Sequence, residues 1–158
     1  MKKPLFVLTL AFLLMFLGMA QATSAKAPTV KIIISGGGLT RPIEVTDQRI
    51  LDISNVWSGQ FLGGSKGTAK EAPRGLRYEV SFYVEIADDE VRKVYVLYYY
   101  PKPGYIYLPG KGETWYSLNV GTIIRNGQDG KWNYASPAWE DLIRPMIAGA
   151  EAAQHQGS

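Results

Sequence analysis

Strict alternation of apolar and polar residues over positions 77–86 constrains the fold of this chain more than any other feature. The apolar set is Tyr78, Val80, Phe82, Val84 and Ile86, and the residues that alternate with them are Arg77, Glu79, Ser81, Tyr83 and Glu85. A period of two residues is typical of a strand with one buried face. A second β-rich run, 91–100, follows the polar residues at 88–90, so the sequence predicts a long antiparallel hairpin.

The register of this hairpin follows from placing Ile86 opposite Val91. The predicted neighbours are then Phe82 with Tyr95, Val80 with Leu97, Tyr83 with Val94, Arg77 with Tyr100, and Glu85 with Arg92. The last pair brings opposite charges together across the strands, which stabilises the pairing. A slip by one residue would place charges among apolar side chains, so the register is well specified.

The remaining segments predict further short strands and two helices. The glycines at 36–38 supply the turn of a first hairpin, and Asp47 is a suitable N-cap for a short helix over 48–53. Residues 136–137, a serine and a proline, begin a C-terminal helix that Pro145 should kink or end. Strands are predicted over 29–35, 40–45, 105–108, 115–118, 122–125 and 131–134, and a loop over 63–75.

Strands outnumber helices and do not alternate with them along the chain, so a parallel sheet is not expected. The sequence predicts an α+β fold with an antiparallel, meander-like sheet of about five to seven strands. A short helix should follow the first hairpin, and a C-terminal helix should pack on one face of the sheet. The chain has no cysteine, so an apolar core must hold this fold without disulfides.

The N-terminal residues have the pattern of a secretory signal peptide. Lys2 and Lys3 precede an apolar run over 5–19, and small residues at Ala20 and Ala22 suit a signal peptidase. The run is shorter than the roughly 20 residues that a membrane-spanning helix needs, although an uncleaved N-terminal anchor is the alternative. We expect a signal peptide over 1–22, or cleavage after Ala25, and export to the periplasm or the extracellular space with no stable membrane anchor. The mature chain should comprise a tether (23–28), a single α+β domain (29–151) and a disordered tail (152–158).

The charge of the chain argues against a nucleic-acid partner. The full sequence has 17 Lys and Arg residues against 14 Asp and Glu residues. Removal of Lys2 and Lys3 with the signal peptide would leave 15 basic against 14 acidic side chains. The excess of positive charge is therefore mostly a targeting feature, and it predicts no binding to nucleic acid or to anionic membranes.

Residue types that most catalytic and metal sites require are scarce. His155 is the one histidine, it lies in the predicted tail, and no cysteine is present, which excludes Ser-His-Asp and Cys-His catalysis and argues against zinc. The glycines at 36–38 and 110–112 lack the pattern of a phosphate-binding loop, and 88–90 lacks the spaced ligands of a calcium loop. No cofactor is expected. Glu79, Glu85 and Glu113 remain candidates for the pair of carboxylates that glycoside hydrolysis requires.

The concentration of aromatic residues is the most unusual feature of the sequence. Eight fall within 22 positions: Tyr95, Tyr98, Tyr99, Tyr100, Tyr105, Tyr107, Trp115 and Tyr116. Because side chains alternate along a strand, Tyr98 and Tyr100 should point away from Tyr99. With Tyr83, Val94 and Val96 they would form a second apolar face of the sheet. The C-terminal helix, a ligand or partner, or a second copy of the chain would have to cover it.

The predicted binding residues are Arg77, Tyr83, Tyr98 and Tyr100. Tyrosine combines an apolar ring with a polar hydroxyl, and an arginine guanidinium can lie on such a ring. The first hypothesis is therefore an exported, non-enzymatic domain that binds an envelope protein, a peptide or a carbohydrate through an aromatic sheet face. The alternative is an envelope hydrolase that works through carboxylates.

Four segments resemble small exported bacterial proteins of unassigned function. They are IIISGGGLTRPIEVTD (32–47), NVWSGQF (55–61), YIYLPGKGETWYSLN (105–119) and DGKWNYASPAW (129–139). The resemblance implies a stand-alone exported domain and transfers no catalytic residues.

Overall fold

The computed structural model describes residues 26–63, 68–69, 73–86, 90–122 and 129–156. The predicted signal peptide, its two cleavage sites, residues 87–89 of the predicted turn and residues 123–125 of the strand predicted over 122–125 lie outside these residues. Within them, no helix is long and apolar enough to cross a membrane.

Seven strands and three helices make up the described fold. The strands are β1 (Thr29–Gly36), β2 (Ile43–Val45), β3 (Thr68–Ala69), β4 (Tyr78–Glu85), β5 (Val91–Tyr100), β6 (Tyr105–Leu108) and β7 (Lys131–Tyr134). The helices are α1 (Gln48–Ile53), α2 (Tyr116–Thr122) and α3 (Pro137–Gln156). The strands form one sheet in the order β2-β1-β4-β5-β6-β7-β3 with antiparallel pairing throughout. The predicted α+β fold with a meander-like antiparallel sheet is confirmed.

The main core lies between one face of the sheet and helices α1 and α3. Trp139, Ile143 and Ile147 of α3 are buried, and they recur at the spacing of one helical face. The Ser136 hydroxyl accepts a hydrogen bond from the Trp139 N–H at the start of α3. The Trp139 indole in turn donates to the Ser54 hydroxyl at 2.9 Å, which ties α3 to the end of α1. The predicted packing of the C-terminal helix on one sheet face is confirmed.

The register of the central hairpin agrees with the prediction as far as Phe82. Phe82 lies opposite Tyr95, but Tyr83 lies opposite Lys93, so Val94 is an extra residue on β5. This bulge shifts the rest of the ladder by one residue. The predicted pairs of Ile86 with Val91, Tyr83 with Val94 and Glu85 with Arg92 are therefore wrong. Opposite Glu85 is Val91, and opposite Arg92 is Val84.

Residues 116–122 form α2 and not the strand that was predicted over 115–118. Trp115 precedes the helix with φ of 73°, a left-handed conformation that interrupts an extended chain. Asn119 of α2 is fully buried, and its side chain bonds both to the N–H and to the C=O of Val96. Because β6 pairs only with Tyr98–Tyr100 of β5, this amide takes the place of a neighbouring strand at Val96.

The predicted loop over 63–75 contains the two-residue strand β3, which pairs with β7. Pro145 lies inside α3, so of the two predicted effects, a kink or an end of the helix, it does not produce the second. Residues 152–156 continue α3 into the stretch that was predicted as a tail.

Contacts with the first hairpin hold the last turns of α3. Glu151 accepts a hydrogen bond from the Gly38 N–H at 3.0 Å. Gln154 accepts from the N–H groups of Thr40 and Arg41 at 2.8 and 3.1 Å, and its amide nitrogen donates to the Arg41 carbonyl. We call this set of contacts the α3 clasp. Its partners are 113 or 114 residues apart in the chain, so a local reading of the sequence does not reveal it.

Candidate functional site

The sheet face opposite α3 carries a set of aromatic side chains from three neighbouring strands. Cross-strand pairing aligns Tyr98 with Tyr107 and Tyr107 with Trp132, and the next row aligns Tyr100 with Tyr105. Tyr99 points to the other side, where its ring meets Trp139 of α3 edge to face at 5.0 Å. The C-terminal helix therefore lies across the sheet from this set. We call it the aromatic face: Tyr98, Tyr100, Tyr105, Tyr107, Trp132 and Tyr134.

The rings of the aromatic face pack against one another. Trp132 meets Tyr100 edge to face at 4.9 Å, and its centroid lies 4.5 Å from that of Tyr107. Tyr105 and Tyr134 form a separate edge-to-face pair at 4.9 Å. Edge-to-face contact is a preferred geometry for aromatic pairs. These contacts limit the movement of the rings that a ligand would meet.

An open groove of about 620 Å³ lies over the rings that pack around Trp132. The sheet provides its floor, and the turns around Gly112 and Gly130 provide a wall. A side chain at Gly110 would bring its Cβ to 2.7 Å from the Gly130 backbone, so glycine permits the two turns to approach. The lining residues are Arg77, Tyr98, Tyr100, Tyr107, Gly112, Glu113, Thr114, Gly130 and Trp132.

Arg77 lies at one side of the groove, just before β4. Its guanidinium carbon is 4.6 Å from the centroid of the Tyr98 ring, within the range of a cation–π contact. Burial raises the pKa of Tyr100, and the Arg77 guanidinium partly opposes that rise because it favours the charged phenolate. The arginine therefore lies close to both tyrosines that the sequence predicts as binding residues.

Glu113 forms part of the opposite wall. Its carboxylate accepts hydrogen bonds from the Tyr107 hydroxyl at 2.8 and 3.0 Å, and another from the Gly110 N–H. These bonds fix the turn against β6. The groove thus has a cation on one side and a carboxylate on the other.

These contacts predict a fall in stability at alkaline pH. Burial, and then the hydrogen bond to Glu113, raise the pKa of Tyr107 to about 12, and burial with the Glu151 contact does the same for Tyr78. The unfolded chain ionises near pH 10 and so binds fewer protons than the folded chain between pH 10 and 12. The contribution of these two tyrosines to the free energy of unfolding should be complete below pH 10. It should decrease as the pH rises toward 12. Urea denaturation at pH 9, 10 and 11 measures this. Tyr107→Phe should show a shallower fall than the wild type, and an equal slope would contradict the assignment.

Beside the groove, Trp115 joins Glu79 to Lys93. The indole N–H donates to the Glu79 carboxylate at 3.1 Å, and the Lys93 ammonium lies 4.4 Å from the ring centroid. Burial, and then the Glu79 carboxylate, raise the pKa of Tyr98. Two of the three candidate carboxylates, Glu79 and Glu113, therefore lie at or beside the groove. The third, Glu85, is on the same side of β4 as Glu79 but at the far, exposed end of the strand.

Three of the four predicted binding residues, Arg77, Tyr98 and Tyr100, come together in the groove. The fourth, Tyr83, does not line it: beyond the bulge its ring lies under the ammonium groups of Lys31 and Lys93, at 5.3 and 6.0 Å. Sequence reasoning did not assign Tyr107, Glu113 and Trp132 to the site. The alternation of β6 and β7 could have placed two of them on the correct face once the order of the strands was known.

Among the described residues, no group of three or more histidine, aspartate or glutamate side chains is arranged to hold a metal ion. Comparison of the chain with protein-family models, with curated proteins and with solved structures gave no match.

Proposed function

We propose that this protein is an exported binding protein whose groove on the aromatic face binds a carbohydrate chain. The observation that carries the proposal is the row of Tyr98, Tyr107 and Trp132 across three strands, flanked by Arg77 and Glu113. Sugar rings present apolar C–H faces and polar rims. Aromatic rings with nearby charged and hydroxyl groups match both parts.

The position of the groove favours a carbohydrate over an extended peptide. Peptides commonly bind to sheets by adding a strand at a free edge. Here β5 and β6 are already paired on both sides at the groove, where Tyr98 lies between Glu79 and Tyr107, and Tyr107 lies between Tyr98 and Trp132. A peptide backbone on this face would find no ladder partners, whereas a sugar brings its own hydroxyl donors and acceptors.

The contacts of the carboxylates favour binding over hydrolysis. Glu113 accepts hydrogen bonds from Tyr107 and Gly110, and Glu79 accepts from the Trp115 indole. Both groups thus hold parts of the fold in place. A glycoside hydrolase needs one carboxyl group to give a proton to the leaving oxygen, and side chains already committed to other donors suit that role poorly.

Substitution of the aromatic platform tests the proposal. Binding of the purified protein to a panel of soluble neutral and acidic polysaccharides is measured by tryptophan fluorescence and by calorimetry. Loss of a central aromatic contact commonly costs 2 kcal/mol or more of binding free energy. Trp132→Ala and Tyr98→Ala should therefore weaken binding at least about tenfold. Tyr134→Ala is the matched control, because Tyr134 is on the same strand and face as Trp132 but outside the groove.

A second variant separates binding from folding. Thr114 is exposed on the rim of the groove, so Thr114→Trp should fill the groove and abolish binding while leaving the melting temperature close to that of the wild type. Absence of binding to every polysaccharide, or full binding by Trp132→Ala and Thr114→Trp, would contradict the proposal. Steady release of reducing sugar would favour the hydrolase instead.

A further inference from the structure

We infer that Arg77 binds an acid group of the ligand, so that the groove selects acidic over neutral carbohydrate. The inference rests on the proposed function and adds the ligand class and the residue that determines specificity. Its basis is the placement of one guanidinium relative to Tyr98 and Glu113.

The contacts of Arg77 with Tyr98 and Tyr100 leave part of its guanidinium available. A guanidinium is planar, and its five N–H donors point outward in that plane. Its carbon lies 4.6 Å from the Tyr98 ring centroid, and it also hydrogen-bonds the Tyr100 side chain. With five N–H donors in the group, several remain that can bond an anion. Arginine binds carboxylates, sulfates and phosphates through two parallel hydrogen bonds, which are about twice as strong as neutral ones.

The charge of Arg77 is not neutralised within the described part of the chain. The ion pairs there join Lys31 to Glu44, Arg49 to Asp47, Arg92 to Glu90 and Arg144 to Glu140. Glu113, the carboxylate that lines the same groove, bonds Tyr107 and Gly110 instead. An anion that enters the groove would therefore meet an arginine that has no carboxylate partner among the described residues.

The two walls also orient such a ligand. An acid group is attracted by Arg77 and repelled by Glu113, whereas the hydroxyls of a sugar can donate to the Glu113 carboxylate. The acid group should therefore lie at the β4 side of the groove. Net charge does not account for a preference of this kind, because the whole sequence carries only +3.

Matched pairs of polymers test the inference. The pairs are polygalacturonate with its methyl ester, dextran sulfate with dextran, and phosphomannan with mannan, and they separate carboxylate, sulfate and phosphate as sources of the charge. Measurements are made at about 0.15 M salt, where long-range attraction is screened beyond ~8 Å. In at least one pair, the wild type should bind the acidic member about tenfold to a hundredfold more tightly, the range for hydrogen bonds to charged groups.

Substitutions at Arg77 complete the test. Arg77→Gln should lose the preference and bind the acidic polymer no more tightly than its neutral partner. Arg77→Lys keeps the charge without the planar pair of donors and should retain part of the preference. Equal binding of both members in all three pairs would overturn the inference, as would a preference that survives in Arg77→Gln. If both members bind equally and Trp132→Ala abolishes both, the carbohydrate proposal stands and only the inference fails. Absence of binding in all pairs contradicts both.

Discussion

Replacement of Phe82 by alanine should lower the free energy of unfolding by about 3–5 kcal/mol, the usual cost of emptying a buried phenylalanine site. The Phe82 side chain is fully buried in the centre of the sheet. Its ring packs against Phe61 at 5.2 Å and against Tyr95 at 5.6 Å, and three mutually packed rings leave little freedom for collapse into the cavity. Urea denaturation, with the slope of the transition as a check on two-state behaviour, measures the loss.

Glu85→Ala is the matched control on the same strand. Its side chain is exposed opposite Val91, so its removal should change the free energy of unfolding by less than about 0.5 kcal/mol. Similar losses for the two variants would mean that the buried and exposed faces of β4 are assigned the wrong way round.

The second large effect is expected at Asn119. Asn119→Leu keeps the size of the side chain but leaves the N–H and the C=O of Val96 without the amide that bonds both. Each buried backbone group left unsatisfied costs about 1–3 kcal/mol, so the loss should be about 2–6 kcal/mol. Denaturation measures the total, and hydrogen exchange at the Val96 amide reports the local effect.

Ser117→Ala provides the comparison, because Ser117 is exposed on the same helix and its loss should be close to zero. If Asn119→Leu were as stable as Ser117→Ala, the hydrogen bonds from the Asn119 amide to the β5 backbone would not contribute to stability. The position of α2 would then need another explanation.

The sequence predicted those parts of the fold that depend on local periodicity. Alternation over 77–86 was sufficient for β4 and for the register around Phe82. It did not reveal the bulge at Val94, because a β-branched residue suits a regular strand equally well. Residues 115–118 were read as a strand because two aromatics and a leucine suit one. The left-handed Trp115 and the buried Asn119 show that tertiary contacts overrode this local preference.

The candidate site also contains residues that local periodicity predicts and residues that it does not. Arg77, Tyr98 and Tyr100 belong to one hairpin, so the alternation of two adjacent strands was enough to bring them together. Tyr83 lies on the same hairpin, but beyond the bulge. Trp132 joins the groove only through the pairing of β6 with β7, and the fold of the turn that contains Glu113 determines where its carboxylate lies. Neither is encoded in a local pattern.

The α3 clasp also bears on the order in which a nascent chain can complete its structure. The turn at 38–41 is synthesised more than a hundred residues before Glu151 and Gln154, which bond its amides. The entropy lost in closing a loop grows only with the logarithm of its length, by about 0.6 kcal/mol for each doubling. A few hydrogen bonds can therefore hold a closure of more than a hundred residues. The first turn of the sheet consequently acquires these partners only after the last turns of α3 have been synthesised.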